Sequence, residues 1–188
     1  MELRWKASRP CKYMLSVALL LLLAVEAADR NIGDMAALEW HLTHGFRAGC
    51  CGLEISVPLK YSVSEDRRSV ALFDAPGFFR GRLFHLPHSM IIIQSSSGRY
   101  DQETTRQARE RLLDLYGRQG YRLMSTPAIE VAGKTLECSE LYAERDLNFG
   151  PYYQVWCWGD GPAVSFEGQP TLLAEFYSIV RAARPVTQ

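Results

Sequence analysis

Two histidines and two cysteines lie close together in the sequence and could bind a metal ion or exchange electrons: His41, His44, Cys50 and Cys51. Residues three positions apart share a helix face, and imidazole together with thiolate binds zinc or copper. However, adjacent cysteines reach one metal ion with difficulty, and no C-x-x-C spacing is present. The alternatives are surface histidines with free or separately paired thiols, or a strained, redox-active Cys50–Cys51 disulfide.

No set of residues forms a recognisable catalytic motif. A nucleophilic cysteine needs a base and an orienting group, and the sequence ties none of its histidines to either thiol. Residues 95–98 contain only one glycine, which indicates a polar connector rather than a phosphate-binding loop. Glu137 and Glu140 fall on opposite faces of a strand. Glu140 and Glu144 share a face but are about 13 Å apart at strand rise, too far for a glycosidase pair. The sequence therefore favours a protein that is not an enzyme.

Cys138 and Cys157 are the best candidates for a disulfide. If a hairpin turn is centred between Leu147 and Asn148, residues whose numbers sum to 295 lie opposite each other, and these two cysteines do. Directly opposed Cβ atoms are about 4.5–5.5 Å apart, so a bond forms only in the closer, non-hydrogen-bonded register. The alternative is a pair of buried free thiols.

The aromatic strand at 152–158 is the strongest candidate for a binding surface. Alternation places three of its aromatic side chains on one face: Tyr152, Trp156 and Trp158. Because aromatic residues are enriched in interface cores, this face could bind a partner. The alternative is a sheet that is covered on both faces.

The elements that must position these residues are mostly strands joined by turns. Apolar alternation and turn residues predict strands at 53–57, 69–75, 78–86, 90–93, 121–131, 134–144, 152–158 and 163–167. The two main helices are expected from Asp101 to Gly117 or Gly120 and from Pro170 to Pro185. A short helix capped by Asp34 and ended by Gly45 precedes them, and 49–52 is expected to be a loop or tight turn. This order predicts an α+β fold with a largely antiparallel sheet.

The first residues have the pattern of a secretory signal. Four basic residues precede an uncharged run at 14–25: Arg4, Lys6, Arg9 and Lys12. The run is shorter than the roughly 20 residues that a spanning helix needs, and small residues follow it. We expect a signal peptide at 1–27, an N-terminal extension at 28–49 and one α+β domain at 50–188. An uncleaved signal anchor is the alternative.

The charge and the cysteine content reduce the number of possible functions and indicate the cellular compartment. The chain has 21 basic and 21 acidic residues, and removing 1–27 leaves 17 and 19. A net charge of −2 argues against general nucleic-acid binding, which needs a basic surface. An even number of cysteines after the signal is typical of an exported, disulfide-containing protein. We therefore expect a periplasmic or secreted protein with no stable membrane span once the signal is cleaved.

The element order resembles the PsbP-like superfamily over about residues 50–186. Three features carry the likeness: the first strand Leu53-Glu54-Ile55-Ser56-Val57-Pro58, the 91–93 strand before the helix at 101–117, and the meander from Val131 through Trp158 that leads to Phe166 and the last helix. A tryptophan usually follows the first-strand proline in that superfamily, and here Tyr61 lies nearby. The resemblance implies a PsbP-like sandwich. Its members have unrelated roles, mostly in binding or scaffolding, so function does not follow from the fold alone.

Two functions from different classes remain at this point. The first is an exported, non-enzymatic binding or scaffolding domain without a cofactor, which binds an unknown protein or small ligand through Tyr152, Trp156 and Trp158. The alternative is a metal-binding protein, for zinc or copper, or a thiol-redox protein that uses the segment from His41 to Cys51.

Overall fold

A computed structural model describes residues 9–74, 89–95, 102–144 and 150–186. Its helices are α1 (Arg9–His44), α2 (Gln102–Arg118) and α3 (Leu173–Arg181), and a 3-10 turn, Pro170–Leu172, leads into α3. The strands are β1 (Arg47–Cys50), β2 (Leu53–Ser56), β3 (Ser62–Asp66), β4 (Ser69–Asp74), β5 (Ser89–Gln94), β6 (Arg122–Ser125), β7 (Ala128–Val131), β8 (Lys134–Ala143), β9 (Tyr152–Gly159), β10 (Ala163–Gly168) and β11 (Arg184–Pro185).

The strands form two antiparallel sheets. The larger has the order β3-β4-β5-β10-β9-β8-β6, and β7 also pairs with β8; the smaller has the order β1-β2-β11. The expected α+β fold with a largely antiparallel sheet is therefore confirmed. The prediction of a single strand at 121–131 is wrong, because residues 126–127 separate two strands, β6 and β7, which pair with the same edge of β8. The strand expected at 78–86 and the helix start at Asp101 lie outside the described residues.

The larger sheet has a hydrophobic core on each face. The inner face, which carries Val155 and Cys157, packs against α3 and the small sheet. Phe176, Ile179 and Val180 recur at helical spacing in the sequence, and all three are buried there. The outer face, which carries Trp156, packs against α2 in a smaller core. Helices α2 and α3 therefore lie on opposite faces of the larger sheet.

Side chains of α2 deviate from the predicted stripe. In the sequence, Leu115 falls on one helical stripe with Ala108, Leu112 and Tyr116, which predicts that it faces the core, but it is 54% exposed. Leu113 packs against the outer-face core instead, beside Leu112 and Tyr116. The helix ends before Gly120, whose φ of +90° supplies the left-handed stop.

The N-terminal helix is continuous where the sequence predicted a break. Asp34 lies inside α1 rather than capping a short helix, so that prediction is wrong. The stop at Gly45 is confirmed, since its φ is +80°. Ala37 and His41, near the end of α1, are buried against the domain, whereas the leucines at 19–23 are exposed. No helix among the described residues has a stretch long and apolar enough to cross a membrane.

The segment 49–52 is part of a two-stranded hairpin. Strand β1, which the sequence did not predict, pairs with β2 from Arg47 opposite Ser56 to Cys50 opposite Leu53. Only Cys51 and Gly52 form the turn, and both have positive φ, 60° and 77°. This is the left-handed pair that the tightest hairpins require.

Candidate functional site

The predicted disulfide joins the centres of β8 and β9. Cys138 lies directly opposite Cys157, their Cα atoms are 3.9 Å apart, and their sulfurs are bonded. The N–H of Cys138 donates to the carbonyl of Pro127 on the other side of β8. Cys138 therefore faces β9 as a non-hydrogen-bonded position, the register that the bond requires. Both residues are at most 1% exposed.

The three predicted binding aromatics lie at different depths on the outer face. Tyr152 is 3% exposed and belongs to the interior. Trp156 and Trp158 are half-buried, and their rings stack with centroids 6.3 Å apart and planes 15° apart. The ring of Trp156 also lies 6.4 Å from that of Tyr116 on α2. Helix α2 therefore covers one side of this tryptophan pair.

The outer face carries a group of half-buried apolar side chains that includes the tryptophan pair. Its members, which we name the outer-face patch, are Phe73, Met90, Ile92, Trp156 and Trp158. Phe73 lies opposite Met90, whereas the polar Ser165 of β10 lies between Ile92 and Trp156, so the patch consists of two apolar parts on one face of the sheet. Among the described residues, only Trp156 of the patch packs into a core cluster.

Two buried polar groups beneath α2 lack partners in the described part of the chain. These are the indole N–H of Trp156 and the hydroxyl of Ser139. The two residues lie directly opposite each other in β9 and β8. Since buried polar groups normally have hydrogen-bond partners, the packing of the sheet against α2 is incomplete at this point.

Charged side chains border the patch at β8. Glu137 lies opposite Trp158, and its carboxylate is 3.5 Å from the guanidinium of Arg109 on α2. Glu140 lies on the inner face, so the predicted separation of these two carboxylates onto opposite faces is confirmed. Exposed Glu137 thus gives the patch a polar rim.

A tyrosine and a carboxylate form a site that the sequence did not suggest. The hydroxyls of Tyr177 on α3 and Ser125 on β6 both donate to Glu140 on β8. Burial, followed by the Glu140 carboxylate, raises the pKa of Tyr177 well above its usual range. Tyr177 therefore remains a protonated donor at neutral pH and ties α3 to the sheet. Only the alternation of β8 signalled that Glu140 faces this side.

The histidines of the predicted metal site are engaged elsewhere. The ring nitrogens of His41 are 2.7 Å from the carbonyl of Gly45 and 3.2 Å from that of Pro58. The ring of His44 stacks on Trp40, and its Nδ1 lies 2.7 Å from the hydroxyl of Thr43. In the described part of the chain, no three histidine, cysteine or acidic side chains are arranged to hold a metal ion. The predicted grouping of His41 and His44 with the two thiols therefore has no geometric support.

The two thiols nearby are free and differ in accessibility. Cys50 is 8% exposed and donates to the carbonyl of Ile93, whereas the half-buried Cys51 donates to the carbonyl of Arg68, each at 3.3 Å. Burial, together with the neighbouring Cys51 thiol, raises the pKa of Cys50 to about 12. Cys50 is therefore a neutral thiol at physiological pH and a poor nucleophile in that form.

A shallow cleft lies away from the outer-face patch. It has a volume of about 340 Å³ and lies between the start of the hairpin and α3, where Phe46, Pro58 and Ile179 line it. None of the patch residues contributes to it. The side chains that line this cleft form no catalytic arrangement.

Comparisons with known proteins assign the chain to no family. No protein-family model matches it, and no curated protein matches it significantly. The function is therefore inferred from the residues and geometry above.

Proposed function

We propose that the protein is an exported, non-enzymatic domain that binds another protein through the outer-face patch. The observation that carries this proposal is the stacked, half-buried pair of Trp156 and Trp158, with Ile92 and Met90 on the same face of the sheet beyond β10. Aromatic and methionine side chains are enriched in interfaces, and clustered apolar side chains on a protein surface are typical of a binding site.

The shape of the surface favours a protein over a small ligand. Sites for small molecules are usually concave and enclose most of the ligand, whereas the patch lies on a sheet face and the shallow cleft lies elsewhere. Glu137 at its edge supplies the polar rim that surrounds interface cores. Tyr152, which is 3% exposed, is too buried to contact a partner directly.

Export is supported by two independent features. The basic and apolar segments at residues 1–27 have the pattern of a secretory signal cut after Ala27. The Cys138–Cys157 bond is of a kind that persists in oxidising compartments. A cut after Ala27 would leave the buried end of α1, Ala37 and His41, attached to the domain.

The proposed fold family agrees with a binding role. The element order of the sequence resembles the PsbP-like superfamily, and its sandwich fold is part of this proposal. Because that superfamily includes many scaffolding proteins, the resemblance supports binding without naming a partner.

The test is partner capture by tagged, exported protein in the cell that makes it. Trp158→Ala removes a patch side chain that packs into neither core, so the domain should stay folded. A hot-spot tryptophan contributes about 2 kcal/mol or more to binding, which predicts a loss of affinity of roughly 30-fold. Leu115→Ala, on the exposed side of α2, is the matched control and should capture the partner normally. Equal capture by folded Trp158→Ala protein would contradict the proposal.

A further inference from the structure

The tip of the β1–β2 hairpin combines two adjacent thiols with an unusual backbone. Cys50 ends β1, and Cys51 occupies the first turn position with φ of 60°. Tight hairpins of this kind prefer Asn-Gly or Gly-Gly, because non-glycine residues adopt positive φ at a cost. A cysteine at this position is therefore an outlier in a place where the neighbouring side chain is also a thiol.

The environments of the two thiols suit successive steps of disulfide exchange. Cys51 is the more accessible thiol, and it contacts the turn between β3 and β4 through the carbonyl of Arg68. Cys50 points into the inner-face core and contacts the carbonyl of Ile93. An external disulfide therefore meets Cys51 first, and Cys50 is held beside it as a second thiol.

We propose that Cys50 and Cys51 form a thiol–disulfide exchange site that takes a small, low-molecular-weight disulfide as its oxidant. The Cys51 thiolate attacks one sulfur of the small disulfide, forms a mixed disulfide and releases one small thiol. Cys50, held beside the mixed disulfide, then attacks the Cys51 sulfur, and the Cys50 proton passes to the departing sulfur, which leaves as the second small thiol. Two protein thiols and one disulfide become one Cys50–Cys51 disulfide and two small thiols, so atoms and electrons balance.

The product is strained, and so the reaction is reversible. Consecutive Cα atoms are about 3.8 Å apart, below the 4.4–6.8 Å that disulfides usually span. Strained disulfides are reduced more readily than structural ones. Oxidation also removes both S–H donors, so the carbonyls of Ile93 and Arg68 lose the contacts that dock the hairpin tip onto the larger sheet. The site is separate from the outer-face patch and does not depend on the proposed binding function.

The experiment treats the full exported chain with oxidised glutathione and maps each cysteine by trypsin and mass spectrometry. Residues 48–60 form one tryptic peptide that contains both thiols, whereas Cys138 and Cys157 lie in two other peptides. The expected result is a loss of two hydrogens within peptide 48–60, reversed by a concentration of dithiothreitol that leaves the Cys138–Cys157 bond intact. A persistent glutathione adduct, or unmodified thiols, would overturn the proposal.

Two variants test the order of the steps. Cys50→Ser should trap glutathione on Cys51, because the second thiol is missing. Cys51→Ser should slow the modification of buried Cys50 by roughly tenfold or more, since reactivity follows accessibility and thiolate fraction. Modification of Cys50 at an unchanged rate would refute the assigned order. The result on the unaltered chain decides the main proposal even where a variant does not fold.

Discussion

Removing the Cys138–Cys157 disulfide should destabilise the domain by an amount that follows from its position. The two cysteines are 19 residues apart, and the loop-closure relation gives about 3 kcal/mol for a loop of that length. For a chain of this size each kcal/mol shifts the melting temperature by roughly 2–4 °C. The double variant Cys138→Ala/Cys157→Ala is therefore expected to melt about 6–12 °C below the unaltered chain.

Thermal unfolding monitored by tryptophan fluorescence measures this shift, because Trp156 and Trp158 flank Cys157 on β9. Cys50→Ala is the matched control, since it removes a buried sulfur that forms no cross-link, and it should cost only about 1 kcal/mol. Unfolding of the unaltered chain in dithiothreitol should reproduce most of the shift. A double variant that melts within the range of the control would refute the reasoning.

Three further predictions concern a hydrogen bond, a turn and a close contact. Tyr177→Phe removes the donor to Glu140 and should cost about 1 kcal/mol. Since burial and that carboxylate raise the pKa of Tyr177 above its unfolded value near 10, the stabilisation is present below about pH 10 and declines as pH rises further; urea unfolding at about pH 8 and pH 11 measures both effects. Cys51→Asn should stabilise the domain by about 1 kcal/mol and raise its melting temperature, because asparagine adopts the positive φ of this position at a lower cost than cysteine. Gly168→Ala should cost about 1–3 kcal/mol, because its Cβ would lie 2.7 Å from that of Ser89.

Each of these has an outcome that would contradict it. If Tyr177→Phe and the unaltered chain lost the same free energy of unfolding between about pH 8 and pH 11, ionisation of Tyr177 would not be the cause of the pH dependence. An unchanged or lower melting temperature for Cys51→Asn would mean that the turn is not strained. Gly117→Ala is the control for Gly168→Ala, because its Cβ meets no atom within 4 Å and alanine favours the helix. Equal stability of the two alanine variants would contradict the close contact.

Local sequence signals predicted the centre of the fold well. The register of β8 and β9 followed from one turn position and strict alternation, and it placed Cys138 opposite Cys157. The apolar stripe of α3 was equally clear because Phe176 and Val180 recur at helical spacing. These elements are strongly periodic, so tertiary contacts did not change which side chains face the core.

The failures come from elements that tertiary or neighbouring contacts decide. Strand β1 contains Ala48 and Gly49, which have low strand propensity, and it forms because β2 pairs with it. Asp34 matches a helix cap, yet α1 continues through it even though the low helix propensity of the preceding Gly33 also favours a break there. Propensity ranks local alternatives, whereas pairing and packing select among them.

The candidate surface shows the same division. Alternation correctly assigned Tyr152, Trp156 and Trp158 to one face, yet it could not reveal that Tyr152 is 3% exposed while the tryptophans are half-buried. Depth depends on where α2 lies, which is a long-range property. The contact of Tyr177 with Glu140 joins residues 37 positions apart, and for the same reason no local pattern predicts it.

The central claim is that the outer-face patch contacts a protein partner, and site-specific photo-crosslinking tests it most directly. Benzoylphenylalanine is placed at Trp158 or, as the control, at the 54% exposed Leu115, in the full chain expressed in its own cell and irradiated there. A discrete crosslinked species, identified as one protein by mass spectrometry, is expected from position 158, and none of that species from position 115. A position 158 that yields no crosslink, or the same products as position 115, in folded protein would contradict it.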